Sequence, residues 1–179
     1  MFVIRIIVIF IFLSFYSTNL FAENKIAYIN IDLILTESIP SKSLLSQLKL
    51  IEQNQIKKIK SDELKLKTQE KKILATKNII SIEEFNKSVD NFQKKVDLHQ
   101  KSKEKNIQIL KQKRSKEILR FLNLINPIIE TIMEKNSIGI LIEKKNIFIA
   151  KSNYDITGIV IEEINKNIKE FLIEWRLTG

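Results

Sequence analysis

In the middle of the chain the apolar residues recur every seven positions. Leu45, Ile59, Leu66, Ile73 and Ile80 form the series, with Glu52 its one polar member. Seven-residue repetition is the mark of a coiled-coil seam, because it keeps one stripe of a slightly underwound helix facing a partner. The companion positions three residues on (Leu48, Gln55, Asp62, Gln69 and Thr76) are mostly polar. Such a seam is dry near its start and sparse outward, which fits a slender helical hairpin better than a dimeric zipper. Residues 41–126 contain neither glycine nor proline, the residues on which the tight turns of a compact core usually depend. The stretch therefore reads as rods projecting from a body. Its tip is expected at residues 78–81, since Ser81 and Glu84 match a capping box in which each side chain satisfies the other's orphan amide. The returning helix carries Phe85, Val89, Phe92 and Val96 at helical spacing, then a polar middle over 99–106. From Ile107 it turns apolar on every side, through Phe121 and Ile125 to Met133, so burial all round is expected. Pro127 within it removes one amide donor and predicts a kink where arm meets body.

The flanks read differently. Residues 25–31 are β-branched and aromatic and predict a strand. Residues 32–37 fit a turn of helix or a loop, Pro40 marks a boundary, and Ser41 is the expected N-cap of the first long helix. At the far end, Asn136 is expected to close the second helix in a left-handed conformation. Residues 138–142 and 147–150 then predict a β-hairpin turning through 143–146. Asp155 and Thr157 bracket the N-cap of a last helix whose stripe is Ile161, Ile164, Ile168, Phe171 or Leu172, and Trp175.

The order predicts an α+β protein. A small β-body of 23–40 and 127–179 has strand on either side of the long excursion, and residues 41–126 form a protruding helical coiled-coil hairpin. A sheet of three short strands exposes its edges and too much apolar surface for a monomer, so the body is expected to self-associate.

The N-terminus bears on compartment. One basic residue, Arg5, precedes an apolar run from Ile6 to Tyr16 broken only by Ser14, and a polar stretch leads to Ala22. That is the form of a secretory signal peptide over 1–22, cut after Ala22, and the run is short of the about 20 apolar residues a spanning helix needs. Export is the expectation. Charge is segregated: the chain carries net +9, and residues 41–126 hold 21 basic against 10 acidic residues. The arms would attract anionic partners.

Catalytic chemistry finds little support. There is no cysteine and a single histidine, His99, in a polar part of the arm. It is expected to be solvated, since a catalytic base needs an oriented partner, and a zinc site lacks donors. Glu83 and Glu84 are explained by capping, and no glycine-rich loop is present to bind a nucleotide. No cofactor and no enzyme activity are expected. Nucleic acid is disfavoured too, because no aromatic residues are interleaved with the lysines to stack bases.

The order of these parts resembles the Skp/OmpH family of periplasmic chaperones: a leader, the strand Lys25-Ile26-Ala27-Tyr28-Ile29-Asn30, a long Lys/Gln/Glu-rich hairpin, the segments 138–142 and 147–150, and the Asp155-Ile156-Thr157 start of a closing helix. The resemblance implies a homotrimer whose body contains Ile26, Tyr28, Ile138, Ile140, Ile142, Ile147 and Phe148. It also implies arms whose apolar faces, including Leu45, Ile59, Leu66, Ile73, Ile80, Phe85, Val89, Phe92 and Val96, line a cavity for unfolded outer-membrane proteins. The activity implied is an ATP-independent holdase in the periplasm, with anionic lipid or lipopolysaccharide as a further contact of the basic arms. The alternative is a membrane-anchored coiled-coil adaptor of the envelope, which requires an uncleaved N-terminus. The tail after Asn167 is longer than the family's usual ending.

Overall fold

The computed structural model describes residues 25–174. The expected leader and Trp175 lie outside these residues. Strand β1 (Lys25–Ile29) leads into helix α1 (Ile31–Glu37) and then the long helix α2 (Ile39–Ala75). Helix α3 (Ile82–Lys135) returns to strand β2 (Ile138–Glu143), and helix α4 (Thr157–Asn167) follows. Single 3-10 turns at Lys144–Asn146 and Ser152–Tyr154 fill the connection. The two long helices have 37 and 54 residues, about 56 and 81 Å at 1.5 Å per residue. The α+β architecture, a small sheet bearing a long helical hairpin, is the one the chain's pattern predicts.

The sheet departs from expectation. β2 does not fold back on residues 147–150; it pairs with β1, in parallel, with Ile26 opposite Ile140 and Tyr28 opposite Ile142. On its other side β1 meets the Asp155 segment through one parallel bridge, with Ile156 N–H donating to the Tyr28 carbonyl at 3.1 Å. The reason is topological. The hairpin arm goes out and comes back, so α3 delivers β2 beside β1, running the same way. The 3-10 turn after β2 then carries 147–150 off without a strand partner.

Four local features also differ from the reading of the sequence. α2 begins one turn early: Ser38 is its N-cap and Pro40 lies in its first turn. Ser41 is not the cap. Its buried hydroxyl stands 2.9 Å from the Ile34 carbonyl and 2.6 Å from the Ser38 hydroxyl, tying α1 to α2. At the end of α3 the left-handed residue is Ser137 (φ 55°), not Asn136. Asn136 is the C-cap and keeps a negative φ of −104° while its Nδ2 donates to the Ile132 carbonyl at 2.7 Å. α4 stops at Asn167, so Phe171 is not on its stripe; Ile168 is extended. Finally, the apolar end of α3 buries one stripe, Phe121, Ile125, Ile129 and Ile132, and leaves Leu119 and Leu124 exposed.

The core lies between these elements. Ala27 and Ile29 from β1, Ile34 from α1, Leu44 and Leu48 from α2, the α3 stripe, Ile138, and Val160 and Ile164 from α4 form one cluster. It thus reaches past Pro40 into the arm's root. A residue bearing Cβ loses about 1–2 kcal/mol in the left-handed region. Glycine there gives back about 0.5–1 kcal/mol through unfolded-chain entropy. Ser137→Gly is therefore expected to raise stability by up to about 1 kcal/mol, read as a higher urea midpoint with unchanged slope.

Candidate functional site

Two surfaces stand out. The first is the face of the sheet that no helix covers. Alternation along a strand sends Ala27, Ile29 and Leu141 to the core and the intervening residues to the opposite side. Of these intervening residues Ile26 is 50% and Ile140 53% exposed, whereas in the same rows Tyr28 is buried and Ile142 half-buried. Ile147 and Ile149 extend this face around a hollow of about 910 Å³ that also takes in Tyr28 and Ile142. Phe148, on the unpaired segment, is fully exposed, and Ile149 is 84% exposed. Ile138 is different: it is buried in the chain's own core. The Tyr28 hydroxyl is held above its ordinary pKa by desolvation and by the adjacent Asp155 carboxylate.

Asp155 also organises the start of α4. Its carboxylate accepts from the Thr157 amide at 2.9 Å and from the Thr157 hydroxyl at 2.5 Å. The Thr157 hydroxyl oxygen in turn accepts from the Asn30 amide at 2.9 Å. The Asp-Ile-Thr segment thereby pins the last helix to the end of β1.

The second surface is the arm. Along α2 and the turn that follows it, the half-buried positions beyond the root include Gln55, Ile59, Asp62, Leu66, Gln69, Ile73, Thr76 and Ile80. Facing them on α3 are Phe85, Ser88, Phe92, Val96, His99, Lys103 and Leu110. Leu45 is half-buried at the base. Val89 is off the seam and 40% exposed; Ser88 occupies the seam instead. At the tip the Ser81 hydroxyl accepts from the Glu84 amide at 3.2 Å while the Glu84 carboxylate accepts from the Ser81 amide. The capping box is complete.

Polar seam layers hold the hairpin through charge. Glu63 accepts from Lys103 across the hairpin at 2.7 Å, and Arg114 reaches Glu52 at 3.8 Å. The Lys103 hydrogen bond holds the Glu63 carboxyl below its ordinary pKa, and Lys65 does the same for Asp62. His99 stands close to both carboxylates. It is not simply solvated: its ring lies in the seam, seven residues from Phe92, with Nε2 shut from solvent and unpaired. Where Glu52 interrupts the apolar repeat the helices leave a cavity of about 430 Å³ walled by Leu48, Ile56, Ile59, Ile107 and Leu110.

Off the seam, single apolar residues project from the otherwise charged arm: Leu64, Leu74, Ile79, Ile82 and Leu98 are each more than half exposed. The seven-residue pattern misses them because they break it. An apolar residue outside the repeat on a Lys/Glu-rich helix is the signal that marks them. Among the described residues no helix is long and apolar enough to cross a membrane, and no three His, Cys, Asp or Glu side chains are grouped to hold a metal ion.

The family model described as "Outer membrane protein (OmpH-like)" matches residues 25–164. The chain belongs to the OmpH-like family. Its fold is also that of a crystal structure from Caulobacter crescentus CB15, described as a candidate outer membrane chaperone (OmpH-like). The two share 17% identity with a TM-score of 0.76, over 83% of this chain and 88% of that one. A search of curated proteins finds no match. The OmpH-like match ends within α4, before the tail that follows it.

Proposed function

We propose that the protein is an ATP-independent periplasmic holdase that captures unfolded outer-membrane β-barrel proteins between its arms. The observation that carries the reading is the arm itself: a long, half-wet hairpin dotted with isolated exposed apolar residues and bearing most of the chain's positive charge. Such surfaces suit clients without a fixed shape. A barrel precursor presents alternating apolar residues and unpaired strand edges, and many weak contacts in a shared space add up to firm holding without one strong site. The Caulobacter protein of the same fold, described as a candidate chaperone, supports this role.

In this reading the body, 23–40 and 127–179, assembles copies, and the arm, 41–126, meets clients. The sheet's uncovered face and Phe148 favour association of several chains, which we take to be a homotrimer. Three arms projecting from one body would enclose the client space. The basic faces of the arms suit anionic lipid or lipopolysaccharide as a secondary contact. Binding needs no nucleotide; release follows when the client folds into a membrane.

The test is light scattering of a urea-unfolded outer-membrane barrel protein diluted into buffer with the mature chain. Suppression of scattering at a few chains per client, without ATP, is expected. Undiminished aggregation in the presence of folded protein overturns the reading.

A further inference from the structure

The tail beyond α4 lies outside the OmpH-like match, which stops at residue 164, yet it is built into the root of the arm. α4 is closed by the Asn167 side chain, whose Nδ2 donates to the Glu163 carbonyl at 2.7 Å. The chain then runs without helix over 168–173, and from Glu170 onward its exposure alternates. Phe171 and Ile173 are buried to 3% and 1%, whereas Leu172 and Glu174 face out. Period-two burial is what an extended segment shows when it lies on an apolar surface.

That surface belongs to both arm helices at once. The Phe171 ring meets Phe121 of α3 edge-on, 5.5 Å between centroids and 89° between planes. The Arg120 guanidinium lies 4.1 Å over the same ring, within the range of a cation–π contact. Arg120 also donates to the Leu172 carbonyl and pairs with Glu174 at 3.3 Å. From α2, the buried Gln47 amide takes the place of a neighbouring strand. Its Nε2 donates to the Phe171 carbonyl at 2.7 Å, and its Oε1 accepts from the Ile173 amide at 3.4 Å. One side chain thereby satisfies two backbone groups of a segment with no strand partner, groups whose burial unpaired would be costly.

The position of these contacts matters. Immediately outward lies the gap at Glu52, where the seam loses an apolar layer and the helices border the half-open 430 Å³ cavity. There the helices are bridged by the exposed Glu52–Arg114 pair at 3.8 Å in place of an apolar layer, a weaker brace on the angle of the arm than buried packing. The tail clasps α2 and α3 just inward of that gap.

We propose that residues 168–174 act as a strap that sets the direction and splay of the arm. Phe171, Gln47 and Arg120 are then positioning residues for client capture. This rests on the holdase reading for its consequence, but not for its geometry. The strap holds the two helices at a fixed angle to the body, and its loss lets the arm swing about the Glu52 gap.

The chain has no native cysteine, so single cysteines placed at Asn78 near the tip and Asn153 on the body can carry a pair of spin labels. Doubly labelled chains are assembled with an excess of unlabelled ones, so that distances within one chain dominate. Two variants are compared with the parent: Gln47→Leu, which keeps the bulk and removes the two Gln47 bonds to the tail while leaving Ser43 Oγ on the Phe171 carbonyl, and a chain ending at Ile168. The label-to-label distribution is expected to widen at unchanged helix content, as release of a tethering contact implies. Capture should shift towards larger clients. An unchanged distribution in Gln47→Leu and in a folded truncated chain overturns the proposal. If the truncated chain fails to fold, Gln47→Leu decides alone. A parent that fails to suppress client aggregation but responds in the distance measurement overturns the holdase reading and leaves the strap standing.

Discussion

Replacing Phe148 and Ile149 together by aspartate is expected to leave each chain folded and to turn the proposed homotrimer into monomers. Both side chains are exposed in the single chain, so the substitutions touch nothing that the chain's own core uses. If association buries them, each contributes about 1.5–3 kcal/mol per chain. An aspartate in the same place adds the cost of taking a charge out of water, several kcal/mol unless it is paired. Every copy carries both changes, and the penalties multiply around a symmetric assembly. Sedimentation should give the mass of one chain, with the helical signal of the parent. Ile138→Asp is the informative contrast. Ile138 is buried in the core of the single chain, so that change is expected to unfold the body rather than separate intact chains. A Phe148→Asp/Ile149→Asp protein that keeps its oligomeric mass at micromolar concentration would remove these residues from the interface.

Arg120→Ala is expected to cost about 3–5 kcal/mol of folding stability, the scale for leaving a buried charge without its partner. Glu117 is 2% exposed. Arg120 approaches one of its carboxylate oxygens with both Nε (2.9 Å) and Nη2 (2.8 Å). The same guanidinium covers Phe171 and pairs with Glu174, so truncation also uncovers an aromatic ring and loosens the tail. Neutralising the stranded acid should recover part of the loss: Glu117→Gln/Arg120→Ala is expected to be more stable than Arg120→Ala alone. Urea unfolding of the two single variants and the double one gives the coupling, expected above about 1 kcal/mol for groups in direct contact. A loss under about 1 kcal/mol in Arg120→Ala would place Glu117 among ordinary surface pairs.

Much of the fold is legible along the chain because it rests on short-range rules. The seven-residue spacing from Leu45 to Ile80, the absence of glycine and proline over 41–126, and the Ser81–Glu84 pair concern neighbours on one helix or one turn. A linear pattern records such relations directly. The β-segments at both ends of the arm are legible for the same reason. Their pairing is not. Residues 138–142 and 147–150, joined by a turn-like sequence, look like a hairpin, but β2 arrives beside β1 because α3 returns there. The β1 edge is then nearer than any fold-back.

The candidate site divides along the same line. Ile26 and Ile140 are apolar by inspection, yet only the parallel register puts them on one uncovered face. Ile138, a few residues away in the chain, goes to the core. His99 reads as a solvated residue in a polar stretch until the opposing helix closes over its Nε2. Phe171 reads as the next member of a helical stripe. In the structure Asn167 ends the helix and Gln47, distant in sequence, receives the extended tail.

Local periodicity and capping chemistry therefore determine, by sequence alone, that this protein is a small β-body carrying a long basic helical hairpin. Tertiary structure alone decides which sheet face is left uncovered, what shields His99 and where the tail is clasped. Those outcomes depend on contacts between segments that lie from 40 to 124 residues apart, whose meeting is set by the length and return path of the arm and by no pattern in either segment.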